Sequence, residues 1–172
     1  MTWIALLRAI NLGARNKVPM AELRQVLEEA GCESVRTYIQ SGNVAFEHDK
    51  PDRTALEAAV EKAFGVQSVI VLRTAKQVRS LLSAHPFGAD TSKSHVAFLS
   101  QKPGRAASRS LAELDIAPDR FEVLGADVAL HYPNGFSGAK LTAARLEKQL
   151  GVPATVRNWR TVERLAEMAG ST

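Results

Sequence analysis

An internal repeat with a period of 84 residues constrains the fold of this chain more than any other feature of its sequence. The segment SGNVAFEH at Ser41–His48 resembles GADVALHY at Gly125–Tyr132, and RTAKQVRSL at Arg73–Leu81 resembles RNWRTVERL at Arg157–Leu165. Both pairs have the same separation of 84 residues. Two blocks in one register favour a duplicated structural unit over chance matches between segments rich in Ala and Val.

The length agrees with two such units. A chain of 172 residues is one domain or two small ones, and 45% hydrophobic with 23% charged residues is typical of a globular protein. We expect one unit at residues 1–87 and a second at residues 88–172. A unit of about 85 residues is marginally stable alone, so we expect the two to form one compact body.

Apolar runs and turn residues predict the element order β-α-β-β-α-β-α, and the same order recurs from His95. Among these elements are a strand at Ser68–Arg73 and a helix near Ala139–Leu150. Pro19 begins a helix that Gly31 ends, and Gln40–Gly42 separates two strands as a hairpin turn. Thr74 with Gln77 forms a capping box for the third helix. Asn158 takes the place of Thr74 in the repeat, so we expect it to cap the last helix.

This order defines an α+β fold class with two tandem ferredoxin-like units. The order β-α-β-β-α-β is the split βαβ unit, or α-β plait, and right-handed crossovers give it an antiparallel sheet ordered 4-1-3-2. Each unit would carry an extra C-terminal helix. Both alternating faces of Trp3–Leu7 and Val69–Leu72 are apolar. We therefore expect the sheet face opposite the two main helices to be buried as well, by the extra helix or by the other unit.

Four motifs, spread from the first strand to the last helix, resemble those of one known family. They are LLRAINLGARNKVPMAEL at Leu6–Leu23, RTYIQSGNVAF at Arg36–Phe46, YPNGFSGAKL at Tyr132–Leu141 and TVRNWRTVERL at Thr155–Leu165. In these residues the chain resembles DUF1697, a bacterial domain-of-unknown-function family. The resemblance implies a cytosolic bacterial protein built from two α-β plaits, and it implies no reaction. The family usually has Ser-Lys where this chain has Ala139-Lys140, so a hydroxyl beside that lysine is not implied.

Polar residues converge at one edge of the predicted N-terminal unit. In a 4-1-3-2 sheet, the end of the first strand and the hairpin before the third strand lie beside the amino end of the first helix. That helix end has unsatisfied N–H groups and the positive end of the helix dipole. The convergence predicts that a small anionic or phosphorylated ligand binds there. The predicted ligand-binding residues are Arg8, Asn11, Lys17, Ser41 and Asn43, with Gly13 and Gly42 allowing close approach of the backbone.

A structural explanation of the same residues stays open. Ser41-Gly42-Asn43 is also what a tight hairpin needs for its turn alone, and Lys17 is equally compatible with a solvated loop. The second candidate site, in the C-terminal unit, consists of Lys140, Arg157, Asn158 and Trp159. An aromatic ring, a lysine and an arginine are groups that bind a flat anionic ligand. Here too, capping by Asn158 and core packing of Trp159 are the alternatives.

No motif nominates a catalytic residue, so whether the protein is an enzyme stays open. The chain lacks G-x-G-x-x-G, the phosphate-loop lysine motif and the G-x-S-x-G elbow. Its four histidines have no metal-ligand spacing, so we predict no metal site, and the sequence identifies no cofactor. Cys32 follows Gly31 in apolar surroundings, which favours a buried structural thiol. The alternative to a binding protein is an enzyme that acts on an anionic substrate, with Arg8 and Lys17 stabilising negative charge.

Charge and composition limit the kinds of partner that we expect the protein to bind. Lys plus Arg is 22 and Asp plus Glu is 18, and a net charge of +4 is too small to indicate nucleic-acid binding by itself. The central strands also lack the aromatic signature of RNA-binding plaits, so nucleic acid is a weaker alternative. No apolar run approaches the roughly 18 residues of a membrane span, and we expect no membrane association. The single cysteine fits a reducing compartment, which predicts a cytoplasmic location.

Overall fold

The structure, a computed structural model, describes residues 1–170. These residues form eight strands, six α-helices and one short 3₁₀ helix. The chain divides into two units: Met1–Arg79 together with the C-terminal stretch from Arg164, and Ser80–Glu163. Each unit contains one four-stranded antiparallel sheet. The predicted α+β class is therefore confirmed at the level of two similar units, whereas the boundary expected after residue 87 stays a prediction.

The elements of the first unit are β1 (Thr2–Leu7), α1 (Met20–Glu29), β2 (Glu33–Tyr38), β3 (Asn43–Glu47), α2 (Arg53–Phe64) and β4 (Ile70–Thr74), and α3 (Ala75–Ser83) follows. Its sheet has the order β2-β3-β1-β4, which is the predicted 4-1-3-2 order read from the other edge. The central strand, β1, is antiparallel to both β3 and β4.

The elements of the second unit are β5 (Ser94–Leu99), α4 (Arg105–Ala112), β6 (Arg120–Leu124), β7 (Asp127–His131), α5 (Ala143–Leu150) and β8 (Ala154–Asn158), and α6 (Trp159–Gly170) follows. Its sheet has the equivalent strand order, β6-β7-β5-β8, with β5 between β7 and β8. It differs from the first unit by a 3₁₀ helix at Phe136–Gly138 before α5.

The repeat in the sequence is matched by the register of the strands. Ile4 of β1 lies opposite Arg73 of β4, and Val96 of β5 lies opposite Arg157 of β8. Both arginines are buried, and each donates a hydrogen bond from Nη1 to the carbonyl oxygen of the preceding residue, at 2.8 Å and 3.0 Å. The two units therefore place the same side chain at the same position of the same strand.

The helix-facing side of each sheet forms a hydrophobic core. Burying each large apolar side chain contributes roughly 1.5–3 kcal/mol, so these clusters supply most of the stability of each unit. In the first unit the core includes Ala5, Leu7, Val44, Phe46 and Ile70 from the sheet with Leu23, Leu27, Leu56 and Val60 from the helices. In the second it includes Ala97, Leu99, Val128, Leu130 and Tyr132 with Leu111, Leu146 and Leu150.

The opposite face of each sheet is buried too. Side chains alternate across a strand, so Ile4 and Leu6 point away from the face that carries Ala5 and Leu7, and all four are essentially inaccessible to solvent. Phe98 of β5 is likewise fully buried. This burial is what the doubly apolar strands predicted.

The predicted helix caps are confirmed. The carboxylate of Asp52 accepts hydrogen bonds from the N–H groups of the first turn of α2. Thr74 and Gln77 form the reciprocal capping box, since the Thr74 N–H donates to Gln77 Oε1 at 2.8 Å and the Gln77 N–H donates to Thr74 Oγ1 at 3.2 Å. Asn158 Oδ1 accepts from the N–H of Thr161 at 2.8 Å and caps α6.

Some element boundaries differ from the prediction because side chains compete for the backbone. A helix was expected from about Ala139, but α5 begins at Ala143 because Thr142 caps it, accepting from the N–H of Arg145 at 3.2 Å. A strand was expected from Ser68, but β4 begins at Ile70. The Ser68 hydroxyl instead donates to the carbonyl oxygen of Arg8 at 2.6 Å.

Candidate functional site

Asn11 holds the loop between β1 and α1. Its Nδ2 donates to the carbonyl oxygens of Val18 and Gln40, at 2.9 Å and 2.7 Å, and its Oδ1 accepts from the N–H of Val18 at 2.8 Å. Its φ of +51° lies in the left-handed region, which Asn tolerates better than most residues. Asn11 therefore joins the loop to the hairpin turn, and the predicted convergence of these segments is observed.

The rest of this loop folds back on itself. The N–H of Asn11 donates to the carbonyl oxygen of Asn16 at 2.8 Å, and Asn16 Nδ2 donates to the carbonyl oxygen of Ala9 at 2.8 Å. The N–H of Arg15 donates to the carbonyl oxygen of Leu12 at 3.0 Å. Internal bonding of this kind keeps the side chains of the loop in fixed positions relative to α1.

A cavity of about 570 Å³ lies at the amino end of α1. The N–H of Leu23 donates to the carbonyl oxygen of Pro19, so the N–H groups of Met20 and Ala21 precede the first helical hydrogen bond. The exposed side chain of Lys17 shares this cavity with them. The described lining carries no acidic side chain and comprises Asn11, Gly13, Lys17, Val18, Pro19, Met20, Ala21 and Gln40.

The other three predicted ligand-binding residues, Arg8, Ser41 and Asn43, are not among the residues that line this cavity. Asn43 is fully buried, and its Nδ2 donates to Ser41 Oγ at 2.8 Å and to the carbonyl oxygen of Tyr38 at 3.1 Å. The N–H of Arg8 donates to the carbonyl oxygen of Val69 at 3.0 Å. Ser41 and Asn43 thus show the turn chemistry of a hairpin, whereas Asn11 and Lys17 line the cavity.

At Gly42 the backbone comes close to the hydrophobic core and not to the cavity. A Cβ at this position would lie 2.7 Å from Leu7 Cβ and 2.7 Å from Ile10 Cδ1, and its φ is +76°. Only glycine fits such a position without moving the backbone. Gly13, by contrast, has open space around it and lines the cavity.

The residues of the second candidate site have different surroundings in the structure. Arg157 is buried, its Nη1 donates to Thr155 Oγ1 at 2.6 Å, and burial lowers the pKa of its guanidinium to about 10. Asn158 caps α6, and Trp159 is buried with its ring centroid 4.3 Å from that of His85. The structural interpretations of Asn158 and Trp159 therefore describe real contacts.

Lys140 lies in a loop that is anchored by its backbone. The N–H groups of Lys140 and Leu141 donate to Asp119 Oδ2 at 2.6 Å and 2.9 Å, and the Tyr132 hydroxyl donates to the carbonyl oxygen of Leu141 at 2.7 Å. Burial, and then the charge of Asp119, raise the pKa of Tyr132, so its hydroxyl stays a donor. These bonds explain the YPNGFSGAKL segment as a fixed loop, with the Lys140 side chain exposed.

Asn158 and Trp159 line a cavity of about 690 Å³ in the second unit. Ser94 and His95 line it as well, and His85 Nε2 lies 2.8 Å from Ser94 Oγ. The spacing of the histidines in the sequence indicates no metal site, and no sequence motif marks the pair of His85 and Ser94. The described lining comprises Ala89, Asp90, Thr91, Ser92, Ser94, His95, Asn158, Trp159, Arg160 and Glu163.

A cavity of about 320 Å³ is lined by Met1, Gly31, Glu33, Glu47, His48 and Asp49. Across residues 1–170, no group of three or more His, Cys, Asp and Glu side chains is arranged to hold a metal ion. Cys32 is buried and burial raises the pKa of its thiol to about 11, as expected for a structural cysteine.

A solved structure shares this architecture over nearly the whole chain. It is described as "The structure of conserved bacterial protein SP0830 from Streptococcus pneumoniae", with 24% sequence identity, 98% of each chain covered and a TM-score of 0.67. The likeness shows the fold alone. It places the chain in a class of α+β proteins with two four-stranded antiparallel sheets, each followed by helices.

The family follows from the sequence itself. The model of the family described as "Protein of unknown function (DUF1697)" matches residues 1–128, and the chain belongs to this family. The resemblance inferred from the four motifs is thereby confirmed. No protein with a curated functional description matches the chain. Within the described residues, no helix has both the length and the apolar character needed to cross a membrane.

Proposed function

We propose that the protein binds a small anionic ligand, such as a phosphate ester, in the cavity at the amino end of α1. The observation that carries this proposal is that the Lys17 side chain and the first turn of α1 line one cavity. A lysine ammonium supplies a positive charge, and free N–H groups at a helix start supply directed donors. The volume of about 570 Å³ lies within the range of small-molecule sites.

The residues at this edge have different roles in the proposal. Lys17 pairs with the charge of the ligand, and the N–H groups of Met20 and Ala21 donate to its oxygens. Asn11 shapes the cavity, because its amide is bonded on both sides to backbone. The remaining predicted residues, Arg8, Ser41 and Asn43, hold the strand end and the hairpin in place around it.

We also propose that both units are ferredoxin-like plaits derived from one duplicated unit. The identical strand orders and the equivalent positions of Arg73 and Arg157 support this interpretation. So does the shared role of Thr74 and Asn158, which both accept a hydrogen bond from the N–H three residues further along. We further propose a cytoplasmic bacterial location, because a single cysteine that is buried and forms no disulfide fits a reducing compartment.

The ligand proposal is tested by thermal shift with inorganic phosphate and a panel of phosphorylated metabolites. A ligand that binds only the folded protein raises its melting temperature as its concentration increases. We expect the shift to disappear in Lys17→Ala and to be retained in Lys102→Ala, which removes an exposed lysine from the second unit. No shift with any anion, or an unchanged shift in Lys17→Ala, would show that the proposal is wrong.

A further inference from the structure

Two of the edge strands are capped by a carboxylate from a helix of the same unit. The edges are β2 and β4 in the first sheet and β6 and β8 in the second. The N–H of Ile70, the first residue of β4, donates to Glu57 Oε1 at 2.8 Å. The N–H of Ala154, the first residue of β8, donates to Glu147 Oε1 at 2.7 Å. In each unit, a side chain therefore occupies the start of this edge, where another strand would otherwise pair.

The edge strand β2 is interrupted by an irregularity. Its register with β3 shifts between Glu33 and Arg36, and Ser34 has a φ of +51°. Such a bulge bends the strand, so that a straight strand from another chain does not fit along it. Bulges and caps are common means by which proteins prevent unwanted pairing of exposed edges.

The edge strand β6 has neither kind of protection. All five of its residues pair with β7 in one unbroken register. Within residues 1–170, no other hydrogen bond involves the backbone of β6. Every second residue of an edge strand directs its N–H and C=O groups away from its neighbour in the sheet. Because nothing pairs with these groups, β6 presents an open edge to other molecules.

The side chains of β6 separate into a charged face and an apolar face. Arg120 and Glu122 are exposed, and they lie on the same face because side chains alternate along a strand. The guanidinium carbon of Arg120 lies 5.0 Å from the centroid of the Phe87 ring, which holds this side chain near the strand. Phe121 and Val123 are half-buried on the other face, where they pack against the core of the second unit.

This sequence is complementary to a second copy of itself. In an antiparallel pair with a two-fold axis at Phe121, Arg120 lies opposite Glu122 of the partner subunit, and the symmetry produces this ion pair twice. The two Phe121 rings lie opposite each other on the apolar face. An axis at Glu122 would instead place two carboxylates opposite each other, which is unfavourable. The charges therefore favour the register centred on Phe121.

We propose that β6 is a dimerisation edge, at which two copies of the chain join their second sheets in this antiparallel register. The contact consists of one pair of five-residue strands, which is small for a protein interface. We therefore expect a dissociation constant of about 10–100 µM. The proposal does not depend on anion binding at α1, because no residue of β6 lines that cavity.

The test is sedimentation velocity of the full chain between about 5 and 500 µM, since mass action makes dimerisation depend on concentration. We expect the mean mass to rise from that of the monomer towards twice that value. Arg120→Glu and Glu122→Arg each place like charges opposite each other, and each should raise the dissociation constant at least tenfold. Arg109→Glu is the matched control, since it makes the same change of charge at an exposed residue of α4 and should leave the dissociation constant unchanged.

A mixture of the two single variants locates the contact at β6. In a mixed pair, the carboxylates of the Arg120→Glu chain face the guanidinium groups of the Glu122→Arg chain. The equimolar mixture should therefore dimerise about as tightly as the wild-type protein, although each variant alone dimerises weakly.

Melting followed by circular dichroism at about 5 µM, where the protein is monomeric, shows whether each variant is folded. Because Arg120 also contacts Phe87, Glu122→Arg is the variant expected to keep the wild-type melting temperature. A wild-type protein that stays monomeric up to 500 µM would overturn the proposal. So would a wild-type dissociation constant in Glu122→Arg, or a mixture that associates no better than the separate variants.

Discussion

The side-chain amide of Asn11 donates a hydrogen bond to the carbonyl oxygen of Gln40, 2.7 Å away and 29 residues further along the chain. The bond joins the loop before α1 to the turn of the β2–β3 hairpin. Both residues line the cavity that we propose as the anion site. The shape of that site therefore depends on a residue that has no charge of its own.

Replacing Asn11 tests this dependence. Asn11→Ala removes three side-chain hydrogen bonds and places alanine at a φ of +51°, so we expect a loss of about 2–4 kcal/mol in the free energy of unfolding. Urea denaturation measures it. Asn11→Gly lacks the same hydrogen bonds but accommodates the left-handed backbone, so its free energy of unfolding should fall by less than that of Asn11→Ala. A change below about 0.5 kcal/mol in Asn11→Ala would show that the bonds do not hold the loop.

Gly42 and Gly13 form a matched pair for a second prediction. Both have a positive φ, but a Cβ at Gly42 would lie 2.7 Å from Leu7 and Ile10, whereas a Cβ at Gly13 meets nothing within 4 Å. We expect Gly13→Ala to cost about 1 kcal/mol from backbone strain alone. Gly42→Ala should cost several kcal/mol more, or prevent folding, because overpacking is added to the strain. Equal melting temperatures for the two variants would contradict this account of the hairpin.

Local chemistry explains why much of the fold could be predicted. The caps at Asp52, Thr74 and Asn158 depend on residues at most three positions away, so the sequence shows them directly. The apolar runs of the strands likewise indicated burial on both faces. The start of α5 was missed because Thr142 is a stronger cap than the residues before it, and one hydroxyl decides the boundary.

The candidate sites were less predictable because they depend on contacts across loops. Sheet order brought Asn11 and Lys17 to the amino end of α1, and this part of the site followed from topology. No pattern indicates that Asp119 accepts from the N–H of Lys140, since the two are 21 residues apart in irregular segments. The bond between His85 and Ser94 is also set by a loop that carries no periodic signal.

The loop of the YPNGFSGAKL segment gives a third prediction. Tyr132→Phe removes a fully buried hydroxyl that donates to the carbonyl oxygen of Leu141 at 2.7 Å, and it leaves that acceptor unpaired. We expect a loss of about 1–3 kcal/mol in the free energy of unfolding, measured by urea denaturation. Tyr38→Phe is the control at a partly exposed tyrosine and should change stability by less than about 0.5 kcal/mol. Equal losses in the two variants would contradict the structural role of Tyr132.

Acid should destabilise the second unit through His95. Burial, against the rings of Tyr132 and Phe136, lowers the pKa of His95 below its ordinary value of 6.5. A depressed pKa in the folded state contributes stability that is present above pH 6.5 and is lost as the pH falls through the folded-state value. Melting temperatures between pH 7.5 and pH 5 should therefore fall less steeply in His95→Phe than in the wild-type protein. Parallel profiles would show that His95 is not the group responsible.

The most direct test of the proposed anion site is a backbone amide titration by NMR with inorganic phosphate and a small phosphate monoester. Because the N–H groups of Met20 and Ala21 are the proposed donors, their resonances should shift downfield and saturate, together with those of Lys17 and Gly13. Lys17→Ala should weaken the binding at least tenfold, and Lys102→Ala should leave it unchanged. Saturable shifts that bypass the start of α1, or none at all, would contradict the account.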